Sequence, residues 1–138
     1  LKQDLVEKLH HMRDNVDKVE QRAPQIIAEY RSKLMEKVNE LLGDTQIDEA
    51  RLSTEIVLFA DKICTDEETV RLKSHITSML NALERSEGIG RKLDFIAQEM
   101  NREANTILSK SNDLETSDIA IELKTEIEKV REQIQNIE

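Results

Sequence analysis

From Leu1 to Leu42 the sequence contains no glycine and a single proline, Pro24, while apolar residues return at every third or fourth position. That period belongs to one face of an α-helix and not to a strand. Leu5, Leu9, Met12, Val16 and Val19 form a narrow stripe that predicts a helix over Leu1 to Arg22, and Ile27, Leu34, Val38, Leu41 and Leu42 form a second stripe. Proline is tolerated best in the first turn of a helix, so Ala23 to Leu42 reads as a second helix or as the first continuing past a kink. Gly43 and Asp44 close the segment in the way helix C-termini commonly end. Residues 1–45 are therefore expected to form a long helical hairpin. Its first stripe is too narrow for a buried helix, so the hairpin reads as a mobile or oligomer-facing arm.

Residues 46–138 carry the same signature and are expected to form a C-terminal helical domain. Asp48 is placed to start a helix that runs through Leu52, Ile56, Phe59 and Ala60 to about Ile63. Thr65-Asp66-Glu67-Glu68 fits a capping box, in which the Glu68 carboxylate reaches back to the start of the next helix. Leu72, Ile76, Met79, Leu80 and Leu83 define a core face up to roughly Ser86, and Gly88 and Gly90 mark a hinge. Two further helices follow, Gly90 to Lys110 and about Glu115 to Ile137, the last with Ile119, Leu123, Ile127, Val130, Ile134 and Ile137 facing inward. The expectation is an all-α protein of five or six helices, a protruding N-terminal hairpin on a C-terminal bundle. With 3 Gly, 1 Pro and 2% aromatic residues, a sandwich or barrel is excluded.

Charge narrows the function classes. Asp and Glu number 29 against 20 Lys and Arg, so a net charge of −9 repels nucleic acid and anionic membranes unless a local surface differs. The longest apolar run, Ile56 to Ala60, is far short of the roughly 20 residues of a membrane span. Cys64, the one cysteine, has no intramolecular disulfide partner and fits a reducing cytoplasm; it is expected as a small buried residue near a helix end. Gly-rich phosphate loops, paired-cysteine zinc spacing and HExxH are all missing. Tyr30, Phe59 and Phe95 are the whole aromatic inventory, which gives no support for RNA recognition by stacking.

Polar residues flanking the core stripes carry what chemistry there is. On the helix from Gly90, the core line is Leu93, Ala97, Met100, Ala104 and Ile107; one flank holds Lys92, Glu99, Glu103, Thr106 and Lys110, the other Asp94, Gln98, Asn101, Asn105 and Ser109. On the preceding helix, Glu68 and His75 lie two turns apart on one face beside Arg71. Carboxylates and an imidazole converging from two helices suit Mn²⁺ or Mg²⁺ better than a thiolate metal, and ordinary salt bridging is the alternative. His10 and His11, beside Asp14 and Asp17 on an exposed helix, are weaker candidates. Arg71, Lys73, Arg91, Lys92, Arg102 and Lys110 concentrate positive charge between residues 65 and 112, where phosphate could bind.

The stretch GRKLDFIAQEMNREANTILSKSND from Gly90 to Asp113, with IELKTEIEKVREQIQNIE after it, resembles the C-terminal region of the bacterial YicC/YloC family. DEARLSTEIVLFADK and EETVRLKSHI resemble its middle region, and RAPQIIAEYRSKL its helical arm. The resemblance implies a divalent-metal-dependent endoribonuclease, usually with Mn²⁺, that acts on RNA as a homo-oligomer, expected as a hexamer. It also implies a strand-rich N-terminal region that this chain lacks, which leaves RNA capture by this chain alone incomplete. Under that implication Glu68, His75, Glu99 and Glu103 are the metal and catalytic set, and Arg71, Lys73, Arg91, Lys92 and Arg102 the RNA-binding set. Asp94 is expected to orient Arg71 or Arg91 or to favour its helix start. Two other readings stand beside the enzyme: a helical oligomerisation module, and an adaptor that binds RNA without cutting it.

Overall fold

The computed structural model describes residues 2–43, 45, 48–85 and 90–137. Among them are five helices and no strand: α1 (Lys2–Leu42), α2 (Glu49–Ile63), α3 (Asp66–Arg85), α4 (Gly90–Lys110) and α5 (Leu114–Ile137). The all-α expectation holds. The expected features at Leu1, Asp44, Ser86 and Gly88, and the side chain of Ile137, lie outside the described residues.

Residues 2–42 form one helix, not two, and Pro24 lies inside it. Proline removes one bond of the helical ladder, but here the chain packs on both sides of it, which outweighs the loss. Leu5, Leu9, Met12 and Val16 are fully buried and Val19 nearly so, in the same core as Leu72, Ile76 and Met79 of α3, Leu93, Met100 and Ile107 of α4 and Leu123, Ile127 and Ile134 of α5. The narrow stripe of the first half is thus a core stripe. Four helices need only about one apolar line each to close a bundle, and a narrow line suffices when neighbours flank it on both sides.

The order around that core is α1, α3, α4, α5 and back to α1. Directions follow from the cross-links. Arg13 donates to Thr77 while Lys73, further back along α3, meets Asp17, further on along α1, so α1 and α3 run antiparallel. Asp4 with Gln133, His11 with Glu126 and Arg22 with Asp113 make α1 antiparallel to α5. Lys110 with Glu68 and Arg71 with Glu103 do the same for α3 and α4. The result is an up-down-up-down bundle.

The protruding hairpin exists, but it is built from different residues. Arg22 lies level with Asp113 at the bundle's end, so the remaining 20 residues of α1, about 30 Å of helix, extend beyond it. α2 folds back against that extension. The rings of Tyr30 and Phe59 stack with centroids 3.7 Å apart, and Leu52 is the buried residue of α2. Ile27, Leu34 and Val38 are half-buried there, whereas Leu41 and Leu42 are exposed, contrary to the stripe expected from spacing. The boundary expected at residue 45 is therefore not where the core ends, because residues 5–19 belong to the bundle. Gly43, with φ of 57°, closes α1 through its N–H to the Asn39 carbonyl, and Asp48 caps α2 through the Ala50 amide, both as expected. Cys64, at the end of α2, is exposed and not buried.

One ionic joint fixes where α1 leaves the bundle. Arg22 donates through Nε and Nη2 to the two carboxylate oxygens of Asp113, at 3.1 and 2.9 Å, and also meets Glu29 and Glu115. Asp113 in turn accepts from the amide and hydroxyl of Thr116 and so caps α5. Arg22, then the Thr116 groups, hold the Asp113 carboxyl down to about 2 against the opposing effect of burial. The guanidinium is shifted upward, chiefly by Asp113.

Two outcomes follow for stability. Leu9→Ala lowers the unfolding free energy by about 2–5 kcal/mol in urea denaturation, the range for a core cavity, while Leu41→Ala changes it by less than about 0.5 kcal/mol. Asp113→Ala removes a cap and a charged hydrogen bond together and costs about 1–3 kcal/mol. Because the Asp113 pKa is depressed on folding, its contribution is complete above about pH 4 and is lost as pH falls through about 2, which an acid titration of wild type against Asp113→Ala reads directly.

Candidate functional site

The polar flank of α4 and the Glu68 to His75 face of α3 meet along one seam, because the two helices pack antiparallel with their core lines side by side. Lys110 begins the row. Its ammonium donates to both Glu68 oxygens, at 3.0 and 3.3 Å, and to the Cys64 carbonyl at 3.1 Å. Arg71 comes next, with Nε 2.7 Å from Glu103 Oε2, Nη2 3.5 Å from Glu68 and Nη1 3.5 Å from Glu67. Both central carboxylates are buried, Glu68 at 3% and Glu103 at 6% exposure, under cations that remain partly open to solvent.

Burial of a carboxylate is costly unless it is paired, and here each is paired. Glu103 is the leading cause of a raised Arg71 pKa, and Glu68 of a raised Lys110 pKa, so both cations stay charged throughout the neutral range. The capping role expected for Glu68 is displaced by this pairing: its carboxylate goes to Lys110 and Arg71 and not back to the helix start.

Arg71 opposite Glu103 in antiparallel helices sets residue 75, one turn on, opposite residue 99, one turn back. His75 and Glu99 are half-buried and, among the described residues, carry no hydrogen bond or ion pair. Helical register thus puts the four acidic and imidazole groups singled out from the sequence along one seam, but no three of them offer ligand atoms within 4.8 Å of one another, and they differ in state. Glu68 and Glu103 are committed to cations; His75 and Glu99 are open.

The expected basic set divides three ways. Arg71 belongs to the seam. Lys73 turns to the other side of α3, where it pairs with Asp17 at 2.6 Å and with Glu20, and these two carboxylates raise its pKa. It braces α1 against α3. Arg91, Lys92 and Arg102 are exposed on α4. Asp94 turns to Arg131 of α5 at 3.1 Å and to Gln98, and not to Arg71 or Arg91.

A different trio has metal-like spacing. His11, Glu122 and Glu126 are the one group among the described residues with three potential donor atoms within 4.8 Å of one another. The imidazole presents Nδ1 to Glu126 at 2.8 Å and Nε2 toward Glu122 at 3.9 Å, and Asn15 donates to the other Glu126 oxygen. Opposite ring nitrogens facing the two carboxylates make this a clasp between α1 and α5, since a single cation is ligated by one nitrogen of a ring. Spacing alone along the sequence could not find it, because the partners are 115 residues apart.

Similarity to known proteins extends over most of the chain. The family described as endoribonuclease YicC-like, C-terminal, matches residues 19–138. A protein of Clostridioides difficile (strain 630) named probable endoribonuclease YicC is 44% identical over 139 residues, covering 100% of this chain and 47% of that protein. Another of that name, from Haemophilus influenzae (strain ATCC 51907 / DSM 11121 / KW20 / Rd), is 39% identical over 122 residues, covering 88% of this chain and 42% of that protein. The chain spans about half the length of the curated relatives it matches. Among the described residues no helix is long and apolar enough to cross a membrane.

The His11 clasp makes stability depend on pH near neutrality. Glu126 raises the His11 pKa on folding, so the contribution is fully present below the ordinary imidazole value of about 6.5 and is lost as pH rises through the folded value. Thermal unfolding followed between about pH 6 and 8.5 shows a small fall in midpoint for wild type, and His11→Ala abolishes that dependence.

Proposed function

The chain belongs to the YicC-like endoribonuclease family, whose C-terminal part it matches, and on that premise we propose that it forms the helical part of an enzyme cleaving RNA phosphodiester bonds, with the α3–α4 seam as its working face. The observation that carries this reading is the contrast along the seam. Arg71 and Lys110 are held in place by buried Glu103 and Glu68, and an uncommitted His75 and Glu99 stand one turn further on.

Cleavage of a phosphodiester builds negative charge on the nonbridging oxygens, and cations fixed beforehand stabilise that charge without reorganising. Arg71 and Lys110 are cations of that kind. The Glu103 and Glu68 carboxylates keep them charged and oriented, so these glutamates are positioning residues in this reading and not metal ligands. A four-residue metal set does not fit, because two of its members already neutralise cations.

His75 and Glu99 have the donor chemistry that Mn²⁺ or Mg²⁺ accepts, an imidazole nitrogen and carboxylate oxygens, and would be the residues to hold such an ion. When bound, such an ion supplies Lewis-acid stabilisation at a phosphate oxygen. RNA as substrate, self-assembly into a homo-oligomer expected as a hexamer, and a cytoplasmic setting belong to the same proposal.

His75→Ala and Glu99→Gln leave the ion-paired part of the seam intact and give the clean test. In the full-length protein each lowers Mn²⁺-dependent cleavage of a single-stranded RNA by about 100-fold or more, with an unchanged unfolding midpoint. Cleavage at the wild-type rate by both variants overturns the assignment. Glu103→Gln is unsuited to this purpose, since it also strips Arg71 of its closest partner.

A further inference from the structure

Phe95 is 62% exposed on α4, whereas the other two aromatic rings of the chain, Tyr30 and Phe59, are stacked on each other in the arm. Its surroundings are unusual for a stray apolar residue. At 100° per residue, Arg91, Phe95 and Arg102 fall within an arc of about 40° on the outward face of α4, with Arg91 about 6 Å before the ring and Arg102 about 10 Å beyond it along the axis. Both arginines are exposed, and neither takes an ion pair among the described residues. Arg22, Arg71 and Arg131 are engaged by carboxylates, whereas Arg91 and Arg102, like Arg31, Arg51 and Arg85, are exposed without an ion pair among the described residues; what sets Arg91 and Arg102 apart is that they share one face with Phe95.

A flat ring between two free guanidinium groups is a combination suited to single-stranded nucleic acid. Every base has a face that stacks on an aromatic ring, and guanidinium groups take the phosphates on either side. Glu99 lies one turn past Phe95 and about 40° round the helix, on the side that leads to Glu103 and the seam. A strand lying along this face therefore passes beside the open end of the candidate site.

We propose that Phe95 is a base-stacking platform for single-stranded RNA, with Arg91 and Arg102 holding the flanking phosphates. The inference rests on the RNA reading above and deepens it: it names the single strand as the form of RNA presented to the seam. It also revises the expectation that stacking has no role, because exposure and neighbours, and not the number of aromatics, decide whether a ring is available.

The test uses the full-length protein and a fluorescein-labelled unstructured oligoribonucleotide, with binding followed by anisotropy without added divalent metal. Phe95→Ala and Phe95→Leu each weaken binding by about 5- to 100-fold, and Phe95→Trp keeps it within about twofold. A 5-iodouridine placed in the same oligonucleotide photocrosslinks to the peptide containing Phe95. Wild-type affinity in Phe95→Leu, or crosslinks confined to other peptides, overturns the stacking role. If Phe95→Ala changes the sedimentation mass and leaves RNA affinity unaltered, the ring serves a contact between copies of the chain and the inference falls. The double variant Arg91→Ala with Arg102→Ala separates the two levels: lost affinity there, with none lost in Phe95→Ala, rejects stacking while sustaining RNA binding. Wild-type protein that binds no RNA overturns both.

Discussion

The structure depends on the insertion of the α1 stripe between α3 and α5. Leu5, Leu9, Met12, Val16 and Val19 cover apolar lines that α3, α4 and α5 cannot cover among themselves, since three helices in a row leave the outer two with an open side. Closing the ring removes those surfaces from water, the main favourable contribution to folding at this size. The polar groups lie along the edges of that apolar core, several of them buried there, among them Asn15, Glu68, Glu103 and Thr116. Arg22 with Asp113 lies at one end of the α1–α5 contact, His11 with Glu126 at its middle and Asp4 with Gln133 toward the other end.

The same helix serves two environments, and that sets the shape of the molecule. Its first half is a bundle helix and its second half is the spine of an arm. The division falls at Arg22, where the guanidinium is shared by Asp113, Glu29 and Glu115. A cation at that point neutralises carboxylates from both sides of the junction. It also reaches Asp113, the cap of α5, so the exit of α1 and the entry of α5 are set by one joint. Beyond it, stacked rings and a half-buried apolar strip hold α2 to α1.

The candidate site shows how far helical spacing carries and where it stops. Placing Glu99, Glu103 and Lys110 on one flank of α4, and Glu68, Arg71 and His75 on one face of α3, needed only the rotation per residue, and the structure brings those faces together. Spacing could not say that Arg71 and Lys110 would lie against the two carboxylates, because that depends on the antiparallel register of α3 against α4. Lys73 shows the same limit from the other direction. Two positions from Arg71 it faces α1, and only the placement of Asp17 and Glu20 turns it into a brace. Phe95 was invisible as a candidate for a related reason: a phenylalanine at a solvent-facing position gains meaning only from what shares its face.

By itself the sequence determined the helices after residue 45, most helix ends and most core residues of α3, α4 and α5, though not Ala82, Ile96 or Ala120; what it determined follows from local rules: the 3.6-residue period, side-chain caps, and the conformational freedom of glycine at Gly43. Only the tertiary structure decided that residues 2–42 are one helix through Pro24, that its narrow stripe is core, and that the arm pairs α2 with the second half of α1. The reason is energetic and not local. A proline's missing hydrogen bond and a stripe's burial are both settled by what packs against them, and those partners lie far away along the chain. The ionic seam obeys the same rule, since a buried carboxylate becomes a ligand, a base or a holder of cations according to the charge placed opposite it.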